Sequence, residues 1–152
     1  MSTFRERITL TNARDIGNAR NGLIPETEVR AVAIDAMPDT GAWTLVINEE
    51  TRRRLGLALE GSVTSTLADG STARYGQTEA VKIQWQDRST TQQALVVPDA
   101  HDVLLGALPL EAMDLMVDPV HERLTGVHGN QPVHVLYSLG SSPRLGVRTH
   151  LG

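Results

Sequence analysis

One short segment places a carboxylate, a hydroxyl and a glycine in consecutive positions: Asp39, Thr40 and Gly41. A carboxylate can act as general base or general acid toward water. Glycine lacks a Cβ, so its backbone N–H can approach the carboxylate closely, and the threonine hydroxyl can hydrogen-bond within the loop. The same residue types are common in ordinary turns. Taken alone, the triplet favours a tight turn between two strands.

The elements that must position this triplet are mostly strands. Alternating apolar residues and bounding turn signals indicate strands, which we predict at 4–11, 29–37, 43–47, 63–68, 71–76, 81–85, 94–97 and 116–119. A short helix is expected between a capping Asn48 and a terminating Gly56, and another from Pro109. Residues 12–22 fit a helix or a loop. This pattern predicts a mostly β fold, a closed or partly closed barrel with one or two short helices.

Two further segments stand out on either side of the strand at 94–97. Asp69 and Gly70 are a strong signal for a two-residue hairpin turn, here flanked by Ala68 and Ser71. Leu104, Leu105 and Gly106 form a short buried run ahead of the second helix.

The order of these pieces resembles that of the retropepsin-like aspartic proteases of clan AA. Those proteins have an Asp-Thr-Gly-Ala loop, a glycine-tipped hairpin, and two hydrophobic residues with a glycine before a helix. A small prokaryotic single-domain family of this clan is similar at 8–15, 39–47, 55–57, 68–71 and 104–119. The resemblance implies the retroviral-type acid protease fold over residues 1–129, with 130–152 as a tail or partner-binding arm.

The resemblance also implies roles for individual residues. Asp39 would be the catalytic residue of an aspartic endopeptidase acting on polypeptide, and Thr40, Gly41 and Ala42 would shape its loop. The hairpin residues Ala68, Asp69, Gly70 and Ser71 would belong to a flap over the substrate. Leu104, Leu105 and Gly106 would pack beneath the loop as structural support. Neither a cofactor nor a metal is expected.

The mechanism implied by the resemblance needs two carboxylates, and only one Asp-Thr-Gly is present. Asp35 is four residues earlier, about 13 Å away at ~3.3 Å per strand residue, and Asp69 is expected at an exposed turn. A homodimer that contributes Asp39 from each subunit is the simpler arrangement. Two positions depart from the family pattern: Pro38 replaces an aliphatic residue, and Trp43 replaces a small polar one. Trp43 fits either a substrate pocket or a core or interface position.

Composition excludes several other classes. With no cysteine, the chain has no thiolate metal site and no cysteine nucleophile. A net charge of −4 and five aromatic residues argue against a nucleic-acid partner, and we see no membrane-spanning run. We therefore expect a cytoplasmic protein. The alternatives are an inactive homodimeric module of the same fold that binds peptides, and a monomeric barrel with an incidental turn.

Overall fold

The computed structural model describes residues 4–130, 134–135 and 150–151. Its strands are β1 (Glu6–Asn12), β2 (Ala31–Pro38), β3 (Leu45–Ile47), β4 (Leu59–Thr66), β5 (Thr72–Trp85), β6 (Arg88–Val96), β7 (Val103–Leu105), β8 (Leu115–Asp118), β9 (Arg123–Gly126), β10 (His134–Val135) and β11 (His150–Leu151). The helices are α1 (Ala13–Arg20), α2 (Glu49–Leu55) and α3 (Ala107–Ala112), with one 3₁₀ turn at Glu26–Glu28.

Six strands form a closed barrel. They follow one another in the order β1-β2-β7-β3-β6-β5, and the ring closes because β5 pairs with β1 as well as with β6. β4 lies outside the ring, attached only to β5. The barrel interior is filled by the inward-facing residues of these strands, which are apolar and almost fully buried: Ile8, Leu10, Val32, Leu45, Ile47, Val81, Ile83 and Leu105.

Two parallel pairings hold the segment that contains Asp39. β2 runs parallel to β7, with Ala36 opposite Val103 and Pro38 opposite Leu105. β3 runs parallel to β6 and antiparallel to β7. β7 therefore lies between β2 and β3, and the connection from β2 to β3 loops over the end of β7.

The described residues contain three α-helices, where the sequence indicated one or two. α2 has the expected ends: the Asn48 side chain accepts a hydrogen bond from Thr51 N–H, and Gly56 adopts φ 61°. The uncertain segment at 12–22 contains α1, which Asn12 caps by accepting from Asp15 N–H. α3 begins at Ala107 rather than at Pro109, because the chain already turns into the helix at Gly106.

A separate two-stranded sheet follows the barrel. β8 was expected as the last strand, but it forms a hairpin with β9. Buried Arg88 of β6 holds the ends of this hairpin by donating to the carbonyls of Met113, Asp114 and Gly129.

No helix in the described part of the chain is long and apolar enough to cross a membrane. Most of the predicted arm at 130–152 lies outside the described residues.

Candidate active site

Asp39 is the first residue after β2, and its position is fixed through the backbone. Its N–H donates to the carbonyl of Leu105 at 3.0 Å, so the ladder between β2 and β7 continues into the loop. Pro38, which has no N–H, is buried at the end of the strand. The departure from the family pattern at this position therefore leaves the loop anchored one residue later.

The Asp39 carboxylate is held by its own loop. Gly41 N–H donates to Oδ1 of Asp39 at 2.9 Å, and Ala42 N–H donates to the Asp39 carbonyl at 3.0 Å. A Cβ built on Gly41 would lie 3.0 Å from the same Oδ1. This is the close approach that the glycine was expected to permit.

Thr40 lies on the exposed surface of this loop. Among residues 4–130, its hydroxyl has no hydrogen-bond partner. The hydrogen bond that we expected this hydroxyl to make within its loop is thus not formed in the described subunit. The loop is closed by backbone groups instead.

The start of α3 clamps the other end of the loop. Ala107 N–H donates to the Ala42 carbonyl and Leu108 N–H to the Trp43 carbonyl, both at 2.9 Å. Gly106 permits this contact, because a Cβ there would lie 2.3 Å from the Thr44 carbonyl oxygen. The run Leu104–Gly106 therefore lies directly against the Asp39 loop.

Two clefts flank the loop. The first, of about 660 Å³, exposes Asp39 and Thr40 and is walled by α3 and β8, including Glu111 and Met116. The second, of about 570 Å³, lies between Gly41–Thr44 and the strand β4. Asp39 thus stands beside one open cleft, and the residues that follow it line another.

The predicted flap is a hairpin of β4 and β5 that projects from the barrel. All but one of the eight residues of β4 are exposed. Its turn is longer than the two-residue turn we predicted: Gly70 N–H donates to the Leu67 carbonyl, Leu67 N–H donates to Ser71, and Gly70 has φ 84°. This is a three-residue loop, Ala68 to Gly70, that ends in a left-handed glycine.

An ion pair from α1 fixes the base of the flap, and a neighbouring pair joins α1 to the segment before β2. Arg14 pairs with Glu79 of β5, whose other oxygen accepts Ala58 N–H at 2.7 Å. The Arg14 guanidinium and this N–H hold the pKa of Glu79 below its usual range. Arg30 likewise donates from its side chain and its N–H to buried Asp15 and lowers the pKa of that carboxyl.

The structure separates the sequence-predicted residues into two groups. The Asp39–Ala42 loop and Leu104–Gly106 meet, whereas the flap tip at 68–71 lines neither of the two clefts. Asp35, rejected as the second carboxylate, pairs with Arg7 at 3.1 Å. Sequence reasoning missed Val63 and Leu108, which line the second cleft; period-two alternation along β4 could have indicated Val63.

A metal site receives no support from the side chains. No group of three or more His, Asp or Glu residues that could hold a metal ion occurs among the described residues.

Asp69 at the flap tip is exposed, and the Ser71 hydroxyl and N–H hold its pKa below its usual range. It is therefore part of a local turn.

The aspartyl protease family profile matches residues 26–107, which include the Asp39 loop, the hairpin and β7. The chain belongs to the aspartyl protease family. The expected resemblance is confirmed at the level of family and fold. A comparison with curated protein sequences finds no match.

Two solved structures are similar to this aspartyl protease family member. One is the retroviral protease-like domain of Ddi1 from Leishmania major, with 17% identity and a TM-score of 0.54 over 87% of this chain and 94% of that one. Another is the EIAV protease complexed with the inhibitor HBY-793, with 17% identity and a TM-score of 0.48 over 72% of this chain and 86% of that one. The first of these two structures confirms the retroviral protease-like barrel predicted from the sequence.

Proposed function

We propose that this protein is an aspartic endopeptidase that cleaves polypeptides with a pair of Asp39 carboxylates, one from each subunit of a homodimer. The observation that carries the proposal is the Asp39 loop. It holds a single carboxylate at the edge of an open cleft, with one oxygen fixed by Gly41 N–H. Catalysis by paired carboxylates needs such a group on each side of a two-fold axis.

The chemistry follows from the pairing. Two carboxylates in contact cannot both ionise easily, so they share one proton. The ionised member takes a proton from water while the water oxygen adds to the scissile carbonyl carbon, and the protonated member donates its proton to the carbonyl oxygen. The carboxyl that took the proton from water then gives it to the amide nitrogen, and the other carboxylate takes back a proton from the gem-diol as its C=O reforms, the C–N bond breaks and the amine leaves. The step consumes one water and requires no covalent intermediate.

The first cleft supports an arrangement for the two subunits. Its walls are largely apolar, and Met116 of β8 is 49% exposed there. Within the described residues β8 pairs only with β9, which leaves the other edge of β8 with unpaired backbone groups. We propose that β8 pairs with its own copy, so that both Asp39 loops approach the axis.

Cleavage of a diverse peptide library between about pH 3 and pH 7 tests the enzyme proposal. Asp39→Asn is expected to reduce cleavage by at least about 100-fold while the dimer persists in sedimentation. Asp35→Asn, which changes an exposed carboxylate on the same strand, is the matched control and retains wild-type cleavage. Cleavage by the Asp39→Asn dimer at the wild-type rate would refute the proposal.

A second experiment tests the interface. Met116→Arg places a charge against the proposed β8 contact, so sedimentation is expected to show a monomer together with loss of cleavage. Leu23→Arg alters another exposed apolar side chain, on the segment after α1, and should leave the dimer intact. A stable, active Met116→Arg dimer would contradict the arrangement through β8.

The exposed edge of β4 favours one other function. An extended peptide can pair with such an edge without any chemistry at Asp39. The second candidate is therefore a homodimer that binds peptides and does not cleave them. Library peptides retained by the wild-type dimer in uncut form would support this candidate over the enzyme.

A further inference from the structure

We propose that a groove beside α1 docks an amphipathic helix of a partner protein. The groove, which we call the α1 groove, has a volume of about 420 Å³ and is lined by Ile16, Ala19, Arg20, Glu26 and Val29. None of these residues lines either cleft beside Asp39. The inference therefore goes beyond the proposed function.

The α1 groove lies in a connection much longer than its strands require. Thr11 of β1 lies opposite Ala31 of β2, so a hairpin loop of about two to five residues could join these antiparallel strands. Residues 12–30 join them instead and contain α1 and the 3₁₀ turn. Surface connections of this kind are where binding functions are commonly located.

Polar contacts hold this connection in one shape. Buried Asp15 accepts hydrogen bonds from the Arg30 N–H at 3.0 Å and from its guanidinium at 2.8 and 3.0 Å. Asn12 N–H donates to the Arg30 carbonyl at 3.0 Å, and the Asn12 side chain donates to the Leu55 carbonyl at 2.8 Å. Both ends are thus fixed to the barrel, so the groove is formed before a partner binds and little ordering is needed to fill it.

The apolar side of α1 is not covered by the barrel. Ile16 and Ala19 are three residues apart and lie on one face of the helix. Both are half-buried, and neither belongs to the barrel core. A helix of this length is marginal alone and normally gains stability by packing its apolar face. Leu23, just beyond α1, is 72% exposed, and grouped apolar surface of this kind indicates an interaction site.

The walls of the groove favour a helix over an extended peptide. An extended peptide docks by adding a strand to a sheet edge, and the walls here are α1 and the 3₁₀ turn. Their backbone groups bond internally: Asn21 N–H donates to Gly17, and Val29 N–H to Glu26. The partner must therefore be held through side chains, as a helix in a groove is.

The charges at the groove define the chemistry of that helix. Arg20 lies on the α1 wall and Glu26 on the wall formed by the 3₁₀ turn. Both are exposed, and neither has an ion-pair partner within the described part of the chain. A helix with apolar residues at i and i+4 would fill the groove, while an acidic residue on one side faces Arg20 and a basic residue on the other faces Glu26.

The size and place of the groove distinguish this partner from a second copy of the chain. A stable dimer buries about 800 Å² on each partner, whereas this groove lies between an eight-residue helix and a three-residue turn. It also precedes β2, while Asp39 follows β2, so at ~3.3 Å per residue the two sites are roughly 20 Å apart. A docked helix therefore leaves the Asp39 cleft open.

The test selects peptides from a phage-displayed library of alanine-rich helices of about four turns. The bait is the Asp39→Asn protein, so that no peptide is cleaved. We expect enrichment of apolar residues at i and i+4 flanked by charges of opposite sign. Arg20→Glu should weaken binding of these peptides by about 10-fold or more, and selection on Arg20→Glu should enrich a basic residue in place of the acidic one. Arg54→Glu makes the same charge change at an exposed arginine of α2 and leaves binding unchanged.

A second variant fills the groove directly. Ala19→Arg should abolish binding, with denaturant unfolding as the check that the chain still folds, and the exposed Arg20→Glu change decides the outcome if it does not. Failure to enrich any helix, or equal binding to Arg20→Glu and its parent, would overturn the inference. Enriched peptides with proline between the apolar positions would also overturn it, because proline breaks a helix and the occupant would be extended.

Sedimentation separates the remaining occupant. If Arg20→Glu forms a smaller assembly than Arg54→Glu, a second copy covers the groove and the inference is wrong. None of these measurements depends on cleavage. The docking site and the enzyme proposal therefore stand or fall separately.

Discussion

The backbone N–H of Gly41 lies 2.9 Å from Oδ1 of Asp39, and a methyl group on Gly41 would lie 3.0 Å from that same oxygen. A side chain at position 41 would therefore require the carboxylate to shift. The second residue after Asp39 fixes where the carboxylate points.

Gly41→Ala is expected to displace the Asp39 carboxylate and reduce kcat/KM by about 100-fold, because small errors in the placement of a reacting group are costly. The free energy of unfolding should change little, since the loop is exposed. Gly17→Ala is the control, because its new methyl group meets nothing within 4 Å. Full activity of Gly41→Ala would show that the close contact does not position the carboxylate.

Gly106→Ala should affect stability rather than activity alone. Its Cβ would lie 2.3 Å from the Thr44 carbonyl oxygen and 2.8 Å from that of Ala42, and backbone atoms cannot move aside as a side-chain end can. We expect the free energy of unfolding to fall by about 3 kcal/mol, measured by denaturant titration. Gly61→Ala, with open space around it, should change it by much less.

Glu79→Gln tests the ion pair at the base of the flap through its pH dependence. Because the folded protein lowers the pKa of Glu79 from its usual 4.5, the ionised group stabilises the fold above that pH. This contribution is lost as the pH falls through the folded-state pKa. We expect Glu79→Gln to cost about 2 kcal/mol at neutral pH, and progressively less in acid.

The measurement for this pair is chemical denaturation across the acidic range. Glu28→Gln replaces an exposed glutamate and should follow wild type at every pH. If the free energy of unfolding of Glu79→Gln stayed below that of wild type by a constant amount down to about pH 3, lost packing and not the charge would account for the destabilisation.

Arg88→Met removes the donor that holds the β8–β9 hairpin to the barrel. Three carbonyl oxygens, those of Met113, Asp114 and Gly129, each lose a hydrogen bond, so we expect a loss of about 3 kcal/mol. Sedimentation should also show a weaker dimer. Arg53→Met, at a side chain that is 75% exposed, is the control. An Arg88→Met dimer as tight as the wild-type dimer would show that the β8–β9 hairpin is not part of the interface.

Features set by neighbouring residues were predictable from the sequence. Asn48 and Gly56 mark the ends of α2 because a capping side chain and a left-handed glycine act within one helical turn. The Asp39 loop follows similarly from a glycine two residues away. The spacing of strands and turn signals predicted the barrel, and the family resemblance added the packing of Leu105 against this loop.

Features that depend on distant partners were not predictable. The start of α3 at Ala107 depends on the carbonyls of Ala42 and Trp43, which come from another part of the chain. Arg88 is a charged residue in a strand, and no local signal shows that it is buried against three carbonyls. The second cleft likewise joins residues of five segments, from the Asp39 loop to α3, so no linear pattern contains it.

The parallel pairing of β2 with β7 has a consequence for synthesis of the chain. Asp39 reaches its final position only when Leu105 accepts its N–H and α3 binds the next carbonyls. These partners lie more than sixty residues downstream, and pairings of such long range form late and slowly. While the chain emerges from the ribosome, the segment with Asp39 therefore lacks the partners that fix it, and a half-made chain carries no assembled carboxylate loop.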